Sequence, residues 1–252
     1  MLHPPILNES HIESFKRDGF VILKGGFTAA EVVEIERATS EIVASPEVSG
    51  KHWVYHETSL KNGADDLVCR IENLSPFHTG FAELSDALKP SAGQLLGEDT
   101  VLFKEKVNFK MPGGAGFTPH QDSQAGWDAY APALVSVLVS IDPATIENGC
   151  LEMVTGFHQK GTYRQGEPLT DEDMTEMEFI AYPTEPGDIV YFDCFAPHRS
   201  APNMSDKIRR IYFATYNRLS DGEHMASYYA DKHITYPPDI DRDPDKEYRF
   251  KV

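Results

Sequence analysis

Three side chains stand out for the chemistry they could do together: His120 and Asp122, within Thr118-Pro119-His120-Gln121-Asp122, and the distant His198. On an extended strand, residues two apart leave the same face, so the imidazole and the carboxylate aim at one point. A second imidazole beside them completes two His and one carboxylate on one face of a metal. That set suits Fe(II), because three neighbouring positions stay open for small ligands. The triplet alone is a weak signal, since most such triplets are solvated or simply hydrogen-bonded. The elements around it carry the rest of the argument.

Pro112-Gly113-Gly114-Ala115-Gly116 forms a turn shortly before His120, which suits a site at the mouth of a barrel. His198 follows a strand-like run, Asp188 to Phe192, which the turn signal Pro186-Gly187-Asp188 opens. Further strand-like runs are Val101 to Met111, Ala133 to Ile141, Cys150 to Val154, Phe179 to Tyr182 and Arg209 to Asn217. Short strands at this spacing predict an all-β barrel or jelly roll. Before them the chain reads as mostly helical: a short helix from about Ser10 to Arg17, the strand-like Phe20 to Leu23, a helix opened by the capping box Thr28 to Glu31, and one or two helices from Phe77 to Leu96 ending at Gly97. Residues 45–65 read as irregular and polar, with Trp53 and Tyr55 as anchors. The expectation is one domain over residues 1–252, with a helical part to about 100, a jelly-roll core from about 101 to 220, and a tail from 221 to 252 whose stretch Met225 to Tyr236 forms a last helix.

Eleven residues after His198, Arg209 alternates with Ile211 and Phe213 on one strand face. A buried Arg there needs an anion, and a carboxylate gripped by both prongs is its natural partner. Arg210 points the opposite way and reads as structural. Taken in order, Thr118-Pro-His120-Gln-Asp122, Asn148-Gly149-Cys-Leu151 with Gly156-Phe-His158, Pro186-Gly187-Asp188, and His198-x-Ser200-x-x-Asn203 with Arg209 resemble the phytanoyl-CoA dioxygenase family of Fe(II)- and 2-oxoglutarate-dependent oxygenases. The resemblance spans roughly residues 10 to 220, and Phe157 departs from the family's usual serine. It implies a double-stranded β-helix, or jelly roll, with flanking helices. It implies that His120, Asp122 and His198 ligate iron and that Arg209, with Ser200 beside it, holds the distal carboxylate of 2-oxoglutarate. O2 and 2-oxoglutarate are then consumed, succinate and CO2 released, and a substrate C–H bond hydroxylated. Asp122 favours hydroxylation, since related halogenases carry a small residue there.

Lys104, Lys106, Asn108 and Lys110 share one face of the Val101 to Met111 strand, and Phe103, Val107 and Phe109 the other. The lysine face is either solvated or turned into the barrel mouth, where Lys106 and Asn108 meet the co-substrate or an anionic substrate. Trp127 either walls the pocket or packs. Lys110 and Arg199 add positive charge near the ligands, in a chain with 40 acidic and 23 basic residues and a net charge of −17. A basic mouth on so acidic a protein fits a small anion, with an amino acid derivative or an aminophosphonate as first guesses. The global charge opposes nucleic acid and anionic membranes, no apolar run is long enough to span a bilayer, and the N-terminus lacks a signal-peptide core. Cys69, Cys150 and Cys194 are odd in number and far apart, which fits free thiols in the cytoplasm. Two competing readings are a jelly-roll metal binder without turnover and a cupin-like non-oxidative metalloenzyme. Neither calls for the carboxylate grip of Arg209 and Ser200.

Overall fold

The computed structural model describes residues 2–3 and 5–249. Among the described residues, eleven strands form two antiparallel sheets. The larger has the order β1-β9-β6-β11-β4-β3-β2 and the smaller β5-β10-β7-β8. The strands are β1 Phe20–Leu23, β2 Trp53–Thr58, β3 Asp66–Glu72, β4 Thr100–Lys110, β5 Phe117–His120, β6 Leu134–Ser140, β7 Leu151–Met153, β8 Ile180–Tyr182, β9 Ile189–Asp193, β10 His198–Ser200 and β11 Arg209–Arg218. The helices are α1 Glu9–Asp18, α2 Ala29–Ala44, α3 Thr79–Leu96 and α4 Met225–Thr235. This is the jelly roll that the strand spacing predicts, with the flanking helices that the resemblance implies.

The interior strand β6, between β9 and β11, shows how the layers form. Its alternate residues Val135, Val137 and Val139 join the cluster that also holds Ile35 and Ile42 of α2 and Phe81, Leu84 and Leu88 of α3. Leu138, between them, joins Phe20, Leu151, Met153, Phe192 and Ile211 in the space between the sheets. Both faces are covered, so the strand reads as an unbroken apolar run rather than an alternating one. Tyr191 and Tyr216 bury their rings at the helix layer and satisfy their hydroxyls on Ser91 Oγ at 2.9 Å and the Ser85 carbonyl at 2.7 Å. The α2 capping box is present, with Thr28 accepting from the Glu31 amide and Glu31 reaching back to Thr28. Leu88 is fully buried in this layer, and Leu88→Ala is expected to cost about 2–5 kcal/mol of unfolding free energy. A urea titration showing a loss below about 1 kcal/mol would mean that α3 is not packed as described.

Three sequence expectations need correction. The larger sheet does not wait for residue 101: β1, β2 and β3 all belong to it, β2 lies inside the stretch 45–65 read as irregular, and β3 begins directly after it. Strand β2 is the edge of that sheet, and its outer half, His56-Glu57-Thr58, is polar, which hid its period. Phe103 does not share a face with Val107 and Phe109. A bulge opposite Thr215 and Tyr216 interrupts β4, and Phe103 turns toward Trp127, Tyr130 and Tyr228 instead. Asp122 also lies beyond the strand, since β5 stops at His120 and Asp122 begins a 3-10 turn to Ala125.

Candidate active site

Strand β10 lies between β5 and β7 in the smaller sheet, and its register sets His198 directly opposite His120. The imidazoles are cross-strand neighbours, with ring centroids 4.2 Å apart. Gln121 keeps an extended backbone, at φ −114° and ψ 139°, so Asp122 still leaves the chain on the same side as His120. The Gln121 side chain holds this crossing in place. Its amide nitrogen donates to the Gly161 and Phe195 carbonyls at 2.8 and 2.6 Å, and its oxygen accepts from the Tyr163 amide at 2.8 Å. One ligand atom from each of His120, Asp122 and His198 lies within 4.8 Å of the others.

The neighbours of these groups select which atoms face inward. His120 Nδ1 is 2.7 Å from the Thr118 carbonyl and His198 Nδ1 is 3.0 Å from the Ala196 carbonyl. Each Nδ1 is therefore the donor, and each Nε2 is left with a free lone pair. Burial and the neighbouring His198 push His120 down to about 3, so it is neutral at physiological pH, as a metal ligand must be. Burial opposes ionisation of Asp122, but His198, Lys106 and His120 outweigh it and hold its pKa below the ordinary value. Ser136 Oγ donates to Asp122 Oδ2 at 2.7 Å and lies 3.2 Å from Thr215 Oγ1, which leaves Oδ1 as the inward oxygen, 4.0 Å from His198 Nε2.

Sequence reading missed Ser136 and Thr215. The signal was present: Ser136 and Ser140 alternate with valines in an otherwise apolar run and so mark its barrel-facing side. Ser136→Ala is expected to weaken Fe(II) binding about tenfold or more, because the carboxylate loses the group that orients it. Metal titration checks this, and an unchanged affinity would reduce Ser136 to packing.

A cavity runs through the triad in two lobes. The inner lobe encloses about 570 Å³, its open mouth included, and is bordered by Lys106, Asn108, Leu151, Ser200, Arg209 and Phe213 as well as the triad. The outer lobe, about 980 Å³ on the same basis, shares Lys104, Lys106, Trp127, His120 and Asp122 and adds Tyr130, Tyr228 and Asp231. The lysine face of β4 is therefore turned inward rather than solvated, with Lys104 5% exposed. Trp127 both walls the cavity and packs on Phe103.

Arg209 is 3% exposed. It has no carboxylate in ion-pair contact among the described residues, its Nε has no hydrogen-bond partner, and burial lowers its pKa to about 10. Arg210 is fully engaged with Asp142 and Glu36. Asn108 Oδ1 is likewise buried without a partner.

Two residues expected to meet substrate commit their cations to protein groups instead. Lys110 turns its amine away from both lobes, donating to Ser200 Oγ at 2.7 Å, to the Gly149 carbonyl at 3.3 Å, and to the Ala201 carbonyl. Gly149 has φ +76° and sits so close to the Ala201 carbonyl that a Cβ has no room there, which accounts for glycine in Asn148-Gly149-Cys150-Leu151. Arg199 borders the inner lobe, but its guanidinium pairs with Glu152 at 2.8 Å and lies over Phe179.

Residues 15–211 match the model of the family described as phytanoyl-CoA dioxygenase (PhyH). The chain belongs to this family. As a phytanoyl-CoA dioxygenase family member it is an oxygenase that works with Fe(II), 2-oxoglutarate and O2, as its resemblance implies. A 2-aminoethylphosphonate dioxygenase from an uncultured bacterium (HF130_AEPn_1) is 39% identical over 239 residues, covering 93% of this chain and 90% of that protein. A methylphosphonate hydroxylase from Gimesia maris is 32% identical over 234 residues, covering 91% and 88%. Among solved structures, EctD from S. alaskensis with 2-oxoglutarate and 5-hydroxyectoine is 25% identical with a TM-score of 0.72, covering 86% of this family member and 78% of EctD. No described helix is long and apolar enough to cross a membrane.

Proposed function

We propose that the chain hydroxylates a small alkylphosphonate, with 2-aminoethylphosphonate as the leading candidate. The observation that carries this is the pair of lysines bordering the metal site. Lys104 and Lys106 face the cavity beside Asp122, neither is in ion-pair contact with a carboxylate among the described residues, and burial lowers the pKa of both, that of Lys106 well below its ordinary value, against the pull of Asp122 and Glu72. Buried ammonium groups are costly unless an anion meets them. The two relatives named for phosphonates supply the class of anion.

The donor set fits the metal: His120 Nε2, His198 Nε2 and one oxygen of Asp122 would hold Fe(II) on one face. The orphaned Arg209 fits 2-oxoglutarate, whose distal carboxylate it would grip with both prongs, while Lys110 fixes Ser200 alongside and Asn108 lines the way. When bound, iron, 2-oxoglutarate and O2 supply the oxidation, which yields succinate, CO2 and a hydroxylated product. The protein's own part is positioning. Ser136 steers the carboxylate, the Thr118 and Ala196 carbonyls set both imidazole tautomers, and Leu151, Phe192 and Phe213 supply the apolar part of the inner lobe's wall.

The test is aerobic incubation with Fe(II), 2-oxoglutarate and a panel of alkylphosphonates, following succinate and the phosphorus NMR spectrum. One hydroxylated phosphonate per succinate is expected from 2-aminoethylphosphonate. Succinate formation that no phosphonate stimulates would contradict the proposal.

A further inference from the structure

The outer lobe is bordered by Lys104 and Lys106 on β4, its inner pole, and by the carboxylate of Asp231 on α4, its outer pole, with Lys232 and Arg249 also on its wall. At the inner pole, the Lys104 ammonium lies 4.3 Å from the Trp127 ring centroid and 5.4 Å from that of Tyr228. It donates to the Tyr228 hydroxyl at 3.3 Å and has no other hydrogen-bond partner among the described residues. At the outer pole, exposed Asp231 accepts from the Tyr130 hydroxyl at 2.6 Å, and no cation pairs with its carboxylate among the described residues. The next residue, Lys232, is committed to the buried Glu72 and does not neutralise it. Asp231 follows Tyr228 by three residues on α4 and so shares its face. Tyr130 packs against that same Tyr228 ring at 6.0 Å. One aromatic ring therefore stands between the two poles.

We infer that this lobe is a zwitterion site, in which Lys104, aided by Lys106, receives the phosphonate and the Tyr130–Asp231 pair on α4 receives the substrate's ammonium group. The inference rests on the phosphonate reading and adds to it the orientation of substrate and a role for the C-terminal helix. The co-substrate does not compete for Lys104. On the β11–β4 ladder Arg209 pairs with Lys110 and Thr215 with Lys104, so the backbone positions that carry the two cations stand six residues apart, roughly 20 Å along the strand, although both side chains border the inner lobe. A phosphonate brings several acceptor oxygens and up to two negative charges, as a phosphate does, which meets the unfilled donors of Lys104 and Lys106 together. An ammonium group bordered by Tyr130, Tyr228 and a carboxylate gains both ion pairing and contact with aromatic faces. An alkylphosphonate without an amine uses the inner pole alone.

The experiment measures binding without oxygen. 2-Aminoethylphosphonate and ethylphosphonate are titrated separately into protein loaded with Fe(II) and 2-oxoglutarate, following the visible band of that complex, for the wild type, Lys104→Met, Lys104→Arg and Asp231→Asn. Lys104→Met is expected to raise Kd for both phosphonates about tenfold or more, with Lys104→Arg recovering most of the loss. The 2-oxoglutarate Kd stays within about twofold of wild type, because Lys104 is outside the Arg209 grip. Asp231→Asn raises Kd only for the amino compound, by a few-fold, as befits an exposed ion pair. Wild-type protein that binds neither phosphonate overturns the proposed function, and this inference with it. Wild-type binding that survives Lys104→Met, or a 2-oxoglutarate Kd that rises in step, overturns the inference alone. If Lys104→Met does not fold, Asp231→Asn decides: equal effects on the two phosphonates remove the ammonium pole and the orientation with it.

Discussion

His120→Ala, Asp122→Ala and His198→Ala each reduce 2-oxoglutarate-dependent succinate formation by more than about a hundredfold. Losing a group that merely orients a ligand costs 10–100-fold, and each of these substitutions removes a ligand itself. Fold stability changes little by comparison, because the three side chains face a cavity rather than the packed layers around Leu88 and Leu138. The check is succinate yield alongside a urea midpoint for each variant. A variant that keeps near-wild-type turnover removes its residue from the triad.

The second large effect is at Arg209, and it has opposite signs in two assays. Arg209→Lys keeps a charge but loses the two-pronged grip, so the KM for 2-oxoglutarate rises about tenfold or more. Arg209→Met raises it further, yet should make the co-substrate-free protein more resistant to urea. A buried guanidinium without an anionic partner is an uncompensated charge, and an apolar chain of similar length removes that cost. Arg210→Lys does the reverse: it loosens the contacts to Asp142 and Glu36 and leaves the 2-oxoglutarate KM near wild type. Lower urea resistance in substrate-free Arg209→Met would show that its guanidinium has a structural partner, and a KM effect at Arg210 instead would place the inward face one residue later.

How much of this was legible beforehand follows from where each signal lies along the chain. The triad and Arg209 are readable because two ligands fall within one triplet and the later residues sit at motif spacing. The strands β4, β6, β9 and β11 are readable because they are long or strongly apolar. The β2–β3 hairpin was not, because an edge strand with His56, Glu57 and Thr58 at its end has no clean period. Phe103 was misplaced because a bulge is a property of pairing with β11, which local alternation cannot reveal. The lysine face of β4 was undecided for a similar reason. Four polar residues at every second position describe a solvated face and a lined cavity equally well, and only the opposing sheet and α4 distinguish them. Tyr228 and Asp231 lie about a hundred residues from the triplet they face, on a helix whose pattern says nothing of a cavity.

We propose that His120, Asp122 and His198 hold iron while Arg209 holds 2-oxoglutarate against it. The most direct test is an anaerobic titration of the protein with Fe(II) and then 2-oxoglutarate, following the weak visible metal-to-ligand band. The band is expected to appear with the wild type at one equivalent of each, to be lost in Asp122→Ala, and to need about tenfold or more 2-oxoglutarate in Arg209→Lys. A wild-type protein that binds Fe(II) yet shows no band with 2-oxoglutarate, or an Asp122→Ala protein that shows it undiminished, would rule out this arrangement of iron and co-substrate.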